Sequence, residues 1–306
     1  MYDLIIIGGG PAGVAAGVYA ARKKIKTALV AESFGGQSLV SADVQNWIGD
    51  VSLSGFDLAQ KLEKHIRAYT DVLIISGDRA AEIKKIDGGF ALTTKNGKMM
   101  EAKTIFVASG SRRRKLGVPG EDKFEGKGVA YCSICDAPIF AGKDVAVVGG
   151  GNAGLEAVVD LLPYATKIYL VEFSDSLKGD PVTQEKVKAD PRVEIIFKSK
   201  TLEVRGADGF VTGLKYLDMA TNATKELPVG GVFVEIGAIP NADFLGNLVE
   251  KNKFGEVIVD HKTQRSSLTG IWAAGDVSDV LYKQNNISAG DAVKAVLNIY
   301  DYLQKG

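Results

Sequence analysis

The sequence predicts an α/β protein built of two Rossmann-like, three-layer dinucleotide-binding domains. Three observations carry that reading. A glycine-rich turn of the form G-x-G-x-x-G closes a short apolar strand at Gly8 and again at Gly149. Each turn opens a helical stretch, and each helix leads to a second strand ending in an acid, Glu32 in one case and Glu172 in the other. The chain has 306 residues, and at about 150 per domain that length accommodates two such units.

Residues 4–7 form the continuous apolar run that a strand buried on both faces requires. Gly8-Gly9-Gly10-Pro11-Ala12-Gly13 is the turn, residues 14–22 an alanine-rich helix, and residues 27–31 the second strand. Alternation over residues 90–94, the Asn96-Gly97 turn signal and the run KTIFVASG closing on Gly110 read as a meander and a further strand. The same order then returns. Residues 144–148 are the strand, Gly149-Gly150-Gly151-Asn152-Ala153-Gly154 the turn, 155–162 the helix and 167–171 the next strand. Residues 193–204 read as a second meander, and GGVFVEIG closes a strand on Gly237. Beyond about residue 242 no third turn of this kind occurs, so the C-terminal segment either caps the chain or returns to complete one unit. The segment 111–117 (SRRRKLG) and Pro240-Asn241-Ala242 are the expected crossovers, and the apolar stripe of residues 289–303 is expected in a core.

In such a turn the first glycine permits the tight bend, the second lets a pyrophosphate approach the backbone, and the third allows close helix–strand packing. The phosphates then sit on the helix N-terminus, where unpaired N–H groups and the helix dipole favour negative charge. Gly8, Gly10, Pro11, Ala12, Gly13 and Glu32 therefore form one candidate dinucleotide site, with Gly110 at its edge. Gly149, Gly151, Asn152, Ala153, Gly154 and Glu172 form the other, with Gly237. A carboxylate at the end of the second strand accepts hydrogen bonds from ribose hydroxyls, whereas a 2′-phosphate asks for arginine. After Glu172 the chain runs Phe173-Ser174-Asp175-Ser176-Leu177-Lys178, with no arginine before Arg192. Two unit charges ~4 Å apart repel by about 4 kcal/mol near a protein surface, so the second site is expected to take NADH and reject NADPH. The alternative is that Glu172 is a solvated strand-end charge and Lys178 serves a phosphate.

The two cysteines, Cys132 and Cys135, form a single C-x-x-C followed by Asp136. That spacing can close a small disulfide, and sulfurs near a helix start have lowered thiolate pKa values that favour exchange. Asp136 reads either as a general acid/base for thiol chemistry or as a helix-capping carboxylate. A disulfide scaffold needs more cysteines and a structural zinc site four ligands; with His65 and His261 the only histidines, no metal is expected. Lys plus Arg equals Asp plus Glu at 37 each, so no basic excess points to nucleic acid or an anionic membrane. Arg112-Arg113-Arg114-Lys115 is the one basic run and reads as a solvated or partner-docking surface. No stretch approaches the ~20 apolar residues of a membrane span, and no signal-peptide pattern is readable. A cytoplasmic, reducing location is expected.

Two dinucleotide turns with a C-x-x-C ahead of the second make the chain resemble the low-molecular-weight thioredoxin reductase family over essentially its whole length. Gly8 to Gly13 resembles the family's FAD fingerprint, Gly35-Gly36-Gln37 its GGQ turn, Asn46-Trp47-Ile48-Gly49 the segment beside the flavin, and Cys132 to Asp136 its C-x-x-C-D redox centre. Gly275-Asp276-Val277 resembles the C-terminal GD motif, whose aspartate holds the flavin ribityl chain. Lys283-Gln284 stand where the family has Arg-Gln near the pyrimidine end of the ring, and Asn285 follows in the same expected set of FAD contacts. The resemblance implies that the C-terminal segment returns to the FAD domain, residues 1–112 and 242–306, with an NAD(H) domain of residues 113–241 inserted in it. It also implies a homodimer, with Cys135 as the sulfur facing the flavin, Cys132 as the one that attacks a partner's disulfide, and Asp136 supplying the proton.

NADPH-specific members carry a histidine-arginine-arginine run where this chain has Glu172-Phe173-Ser174, and a Ser-Ala pair where it has Asn152-Ala153. The Glu-Phe version is similar to the flavoprotein subunit of bacterial alkyl hydroperoxide reductase, an NADH enzyme with additional N-terminal thioredoxin-like domains. Those domains are not read in this sequence, so the expected acceptor is a separate thioredoxin-like or glutaredoxin-like protein. The implied activity is that of a thioredoxin-disulfide reductase type oxidoreductase, passing electrons from NADH through FAD and the Cys132–Cys135 disulfide to that protein. A ferredoxin-fed reductase, an NADH oxidase or flavin reductase with idle cysteines, and a non-catalytic redox sensor are the alternatives.

Overall fold

The computed structural model describes residues 1–40, 44 and 46–305. Two compact units divide the chain, Met1–Arg112 with Ile239–Gly306, and Arg113–Ala238. The second unit is an insertion in the first. It runs from Arg113 to Ala238, where the sequence reading sets the insertion at residues 113–241. Hydrogen bonds explain the difference. Asn241 donates its N–H to the Gly110 carbonyl at 2.9 Å and its Nδ2 to the Ser109 carbonyl at 3.0 Å, and its own carbonyl accepts the Ser109 hydroxyl at 2.7 Å, so it is fastened to the first unit.

The first unit begins with strand β1 (Tyr2–Gly9), helix α1 (Pro11–Arg22) and strand β2 (Thr27–Phe34). Pro11 stands at the first helical position, where its missing N–H has no intrahelical partner to lose. Helix α2 (Gly55–Arg67) follows, capped by Ser54, whose Oγ accepts the Asp57 N–H at 3.0 Å. Then come β3 (Leu73–Ser76), β4 (Ala80–Ile86), β5 (Gly89–Thr94), β6 (Met99–Val107) and the crossover strand β7 (Ser111–Arg113).

The second unit runs through β8 (Val129–Ala130), the single-turn α3 (Ser133–Asp136), β9 (Asp144–Val148), α4 (Asn152–Leu161), β10 (Lys167–Val171), α5 (Pro181–Ala189) and β11 (Val193–Ile196). It continues with β12 (Ser199–Ala207), β13 (Phe210–Asp218), β14 (Ala223–Leu227) and β15 (Gly231–Val234), and leaves by β16 (Ala238–Pro240), which pairs with β7. The chain then adds β17 (Val259–Asp260), β18 (Arg265–Ser266), β19 (Ile271–Ala273) and α6 (Asn285–Lys305) to the first unit. The C-terminal segment therefore returns, with β19 lying parallel to β6 in the register Trp272↔Phe106.

Both units repeat one plan. The first sheet is ordered β17-β18-β19-β6-β1-β2-β3 and the second β11-β10-β9-β15-β8, so β1 and β9 hold the same central place, each flanked by parallel neighbours. Alternation of side chains across a strand makes three layers. Leu4 and Ile6 of β1 pack with Val14, Leu58, Ile66 and Val296 of the helices, while Ile5 and Ile7 face the meander residues Ile83 and Leu92. In the second unit Val145 and Val147 pack with Leu155, Leu161 and Val187, and Ala146 and Val148 with Leu214 and Tyr216 of the meander. The stripe in α6 is core: Ala292, Ala295, Val296 and Ile299 are fully buried.

Three sequence expectations change in detail. Strand β2 continues past Glu32 to Phe34, and both helices after the glycine turns begin earlier than expected, at Pro11 and Asn152. Residues 193–196 do not belong to the meander. They form β11, parallel to β10, and Lys198 at φ 50° turns the chain into β12, where the meander starts. Among the described residues no helix is long and apolar enough to cross a membrane.

Candidate functional site

In the first unit the glycine turn opens onto a cavity of about 820 Å³, within the range of cofactor sites. Gly8, Gly10, Pro11, Ala12, Glu32, Gly36, Gln37, Gly110, Gly275, Asp276 and Asn285 all line it. The three turn glycines have different reasons to be glycine. Gly8 sits at φ +119°, and a Cβ on Gly13 would overlap the Gly8 carbonyl oxygen. At Gly10 the nearest atom to an added Cβ is 3.7 Å away, so the protein's own packing does not demand glycine there. Close approach of a pyrophosphate would.

Across the cavity mouth, Gln37 donates from Nε2 to Ser111 Oγ at 2.8 Å and to Asp276 Oδ2 at 2.9 Å, joining the GGQ turn to the GD motif. Asn285 donates from Nδ2 to Ser38 Oγ at 2.8 Å at the start of α6. Four residues of the expected flavin set do not line this cavity. Gly13 packs on Gly8. Lys283 is held by Glu256 at 2.8 Å and by the Ser278 carbonyl at 2.6 Å. Gln284 accepts from Asn46 Nδ2 at 3.2 Å, while Asn286 donates to the Asn46 carbonyl at 2.6 Å, so Asn46 and Gln284 tie the NWIG segment to α6 rather than lining the cavity.

Sequence reasoning missed Arg79 and Lys95, which line the cavity near Glu32. Arg79 Nη1 lies 3.8 Å from Glu32 Oε2. Asp78 accepts the N–H groups of Arg79 at 2.8 Å and Asn96 at 3.2 Å, and these bonds with the Thr94 hydroxyl hold its carboxyl below the usual range. The Lys95 N–H in turn donates to the Arg79 carbonyl. No local pattern announces these residues, because two separate turns of the meander bring them to the sheet edge.

The second turn repeats the glycine logic. Gly149 sits at φ +117°, a Cβ on Gly154 would overlap the Gly149 carbonyl, and a Cβ on Gly151 would meet nothing within 4 Å. Glu172 is buried, and its carboxylate is held on both oxygens: Oε2 accepts the Gly150 N–H at 2.5 Å, and Oε1 accepts the Ser174 N–H at 2.7 Å and hydroxyl at 2.5 Å. It is not a solvated strand-end charge. The segment from 174 to 180 folds back over the turn, where Lys178 N–H donates to the Gly150 carbonyl at 2.9 Å and Asp180 N–H to Asn152 Oδ1 at 2.7 Å. Gly237, at φ +94°, has open space around it.

Cys132 stands at the N-terminus of α3 and is disulfide-bonded; the Cys135 side chain lies outside the described residues. Asp136 makes no capping hydrogen bond, against the capping alternative. It is half-buried, and burial raises its carboxyl above the usual range. Ser133, next to Cys132, donates to Asp160 Oδ2 at 2.6 Å. Glu235, hidden in the apolar run that precedes Gly237, is a third missed residue. Its side chain is 4% exposed and 3.6 Å from Arg113. Burial pushes its carboxyl up to about 7, Asp160 and Glu156 add to the rise, and Arg113 opposes it.

Residues 2–294 match the family profile described as pyridine nucleotide-disulphide oxidoreductase. The chain is 43% identical over 302 residues to the protein named NADH dehydrogenase of Bacillus subtilis (strain 168), and 44% identical over 304 residues to an alkyl hydroperoxide reductase subunit of Pseudomonas putida. Each alignment covers 99% of this chain and 58% of the relative, so the chain spans about three-fifths of the length of these curated relatives. Among solved structures it is similar to thioredoxin reductase of Lactococcus lactis, with a TM-score of 0.85, 28% identity and full coverage of both chains. The fold is that of two dinucleotide-binding domains. With the glycine turns, the disulfide-bonded cysteine and this profile over nearly all its residues, the chain belongs to the pyridine nucleotide-disulphide oxidoreductase family, whose members imply FAD and a pyridine nucleotide as cofactors.

Proposed function

We propose that the chain is an NADH-dependent flavoprotein disulfide reductase that passes electrons through a Cys132–Cys135 disulfide to a thioredoxin-like or glutaredoxin-like protein. One observation carries it: Cys132 is disulfide-bonded in the same unit as the second dinucleotide turn, with a half-buried carboxyl following on the same helix. When bound, FAD and NADH supply two-electron hydride chemistry.

The chain's own residues bind, orient and handle protons. Gly8, Gly10 and the N-terminus of α1 would hold the FAD pyrophosphate, Glu32 its ribose, and Gln37 with Asp276 the polar wall beside the ribityl chain. Gly149, Gly151 and the start of α4 would hold the NADH pyrophosphate, with Glu172 on the adenosine ribose. Reduction of the disulfide takes two electrons and two protons to give two thiols. We assign one proton to the Asp136 carboxyl, whose burial lets it hold a proton longer than an exposed aspartate would. The Cys132 thiol gives its proton to the Asp136 carboxylate as its sulfur attacks one sulfur of the acceptor's disulfide, forming a mixed disulfide and releasing the acceptor's other sulfur as a thiolate that takes that proton. Attack by Cys135 on Cys132 closes the chain's own disulfide and releases the acceptor as a dithiol.

The test is steady-state turnover with a thioredoxin-type disulfide as acceptor. NADH should support it at least tenfold better than NADPH, and Cys135→Ser should abolish it while leaving flavin reduction intact. Full activity of Cys135→Ser would establish the flavin-reductase reading instead.

A further inference from the structure

We propose that Ser174 is a second specificity-determining residue for the adenosine ribose, with its hydroxyl turned by Glu172 so that it offers acceptors and no donor. This deepens, and rests on, the assignment of the Gly149 turn as the NADH site. Lone pairs decide the matter. Each carboxylate oxygen has about two acceptor directions. On Glu172, both directions of Oε1 are filled by Ser174, through its N–H at 2.7 Å and its hydroxyl at 2.5 Å. One direction of Oε2 is filled by the Gly150 N–H at 2.5 Å.

A ribose diol brings two hydroxyl donors, and Glu172 keeps a single acceptor direction for them. Ser174 Oγ supplies the other. Having given its proton to Oε1 it retains two lone pairs, and it is half-buried where Glu172 is buried, so it is the more accessible of the two. The same bond sharpens the choice of nucleotide. A serine hydroxyl ordinarily donates to a phosphate oxygen, but here its one proton is committed to Glu172. A 2′-phosphate would meet a negative charge and a hydroxyl with nothing to donate, whereas a diol would meet two acceptors.

The experiment is calorimetric titration of the full chain with NAD⁺, NADP⁺ and the two monodeoxy forms of NAD⁺ that lack one adenosine-ribose hydroxyl each. For the unaltered chain, each deoxy form should bind about 3- to 10-fold more weakly than NAD⁺. Ser174→Ala should weaken NAD⁺ by about 3- to 10-fold, and one deoxy form, the one lacking the hydroxyl that Ser174 accepts, should then bind as tightly as NAD⁺ does. Ser174→Thr keeps the hydroxyl and should keep the unaltered pattern. Unchanged NAD⁺ affinity in Ser174→Ala would overturn the proposal, since the freed Oε1 direction would then be doing the same work. Equal loss for both deoxy forms in that variant, or loss of the pattern in Ser174→Thr, would overturn it too. A chain that binds NADP⁺ in preference to NAD⁺, or neither, would defeat the assignment of the site itself.

Discussion

Gly13 and Gly10 stand three residues apart in one turn and answer to different constraints. Gly13→Ala would drive a methyl into the Gly8 carbonyl, so the first unit should fail to fold. Gly10→Ala meets no atom nearer than 3.7 Å at a backbone of φ −76°, ψ −174° that alanine adopts freely. That variant should fold with unchanged circular dichroism yet retain less than a tenth of the FAD per chain, read from flavin absorbance. Full flavin content in Gly10→Ala would mean the open space beside it is not the pyrophosphate path. Glu235 gives a second prediction. Its folded-state carboxyl lies at about 7 against an ordinary 4.5, so between those values the folded protein holds a proton that the unfolded chain releases. Stability of the second unit should therefore be greatest at the acid end of that window and fall as pH rises through it, by up to about 3 kcal/mol. Glu235→Gln, neutral and of the same shape, should flatten the slope in denaturant titrations at pH 5 and pH 7. An unchanged slope would contradict the role of burial there.

At the scale of elements, what the sequence declares locally is what it declares correctly. The runs ending at Gly8, Gly110, Gly149 and Gly237 are strands because their apolar residues face cores on both sides, and the two turns follow because positive φ at Gly8 and Gly149 and close packing at Gly13 and Gly154 leave only glycine at those four positions. Long-range placement is what the sequence leaves out. Residues 193–196 have a meander's composition, but register with β10 decides that they pair parallel to it. Arg79 and Lys95 reach the cavity only because Asp78 gathers two turns, and Lys283 is drawn to Glu256, 27 residues earlier in the chain, a pairing no motif encodes. Helix α2 offers a test of local logic. Ser54 accepts the Asp57 N–H at its start, and Ser54→Ala should lower stability by about 1 kcal/mol, seen as a lower urea midpoint with an unchanged slope. No shift would place the helix's stability wholly in the packing of Leu58, Leu62 and Ile66.

For the whole molecule, the discontinuous unit and the inserted one each carry two hydrophobic clusters whose members all lie within that unit. Each unit should therefore unfold as its own cooperative transition in scanning calorimetry. NAD⁺ at about 100 times its dissociation constant stabilises the unit that binds it by about 2.7 kcal/mol, which should raise the second unit's midpoint by several degrees and leave the first unit's in place. One shared transition moved by NAD⁺ would contradict two independent cores. Function joins what the cores keep apart, because the proposed electron path needs a nucleotide site in each unit and a working disulfide in the second. Anaerobic titration of the flavin-loaded chain with NADH tests that path most directly. Uptake of four electrons per chain, two on the flavin and two on the Cys132–Cys135 disulfide, is the predicted result; uptake of two, with the disulfide left oxidised, would contradict it.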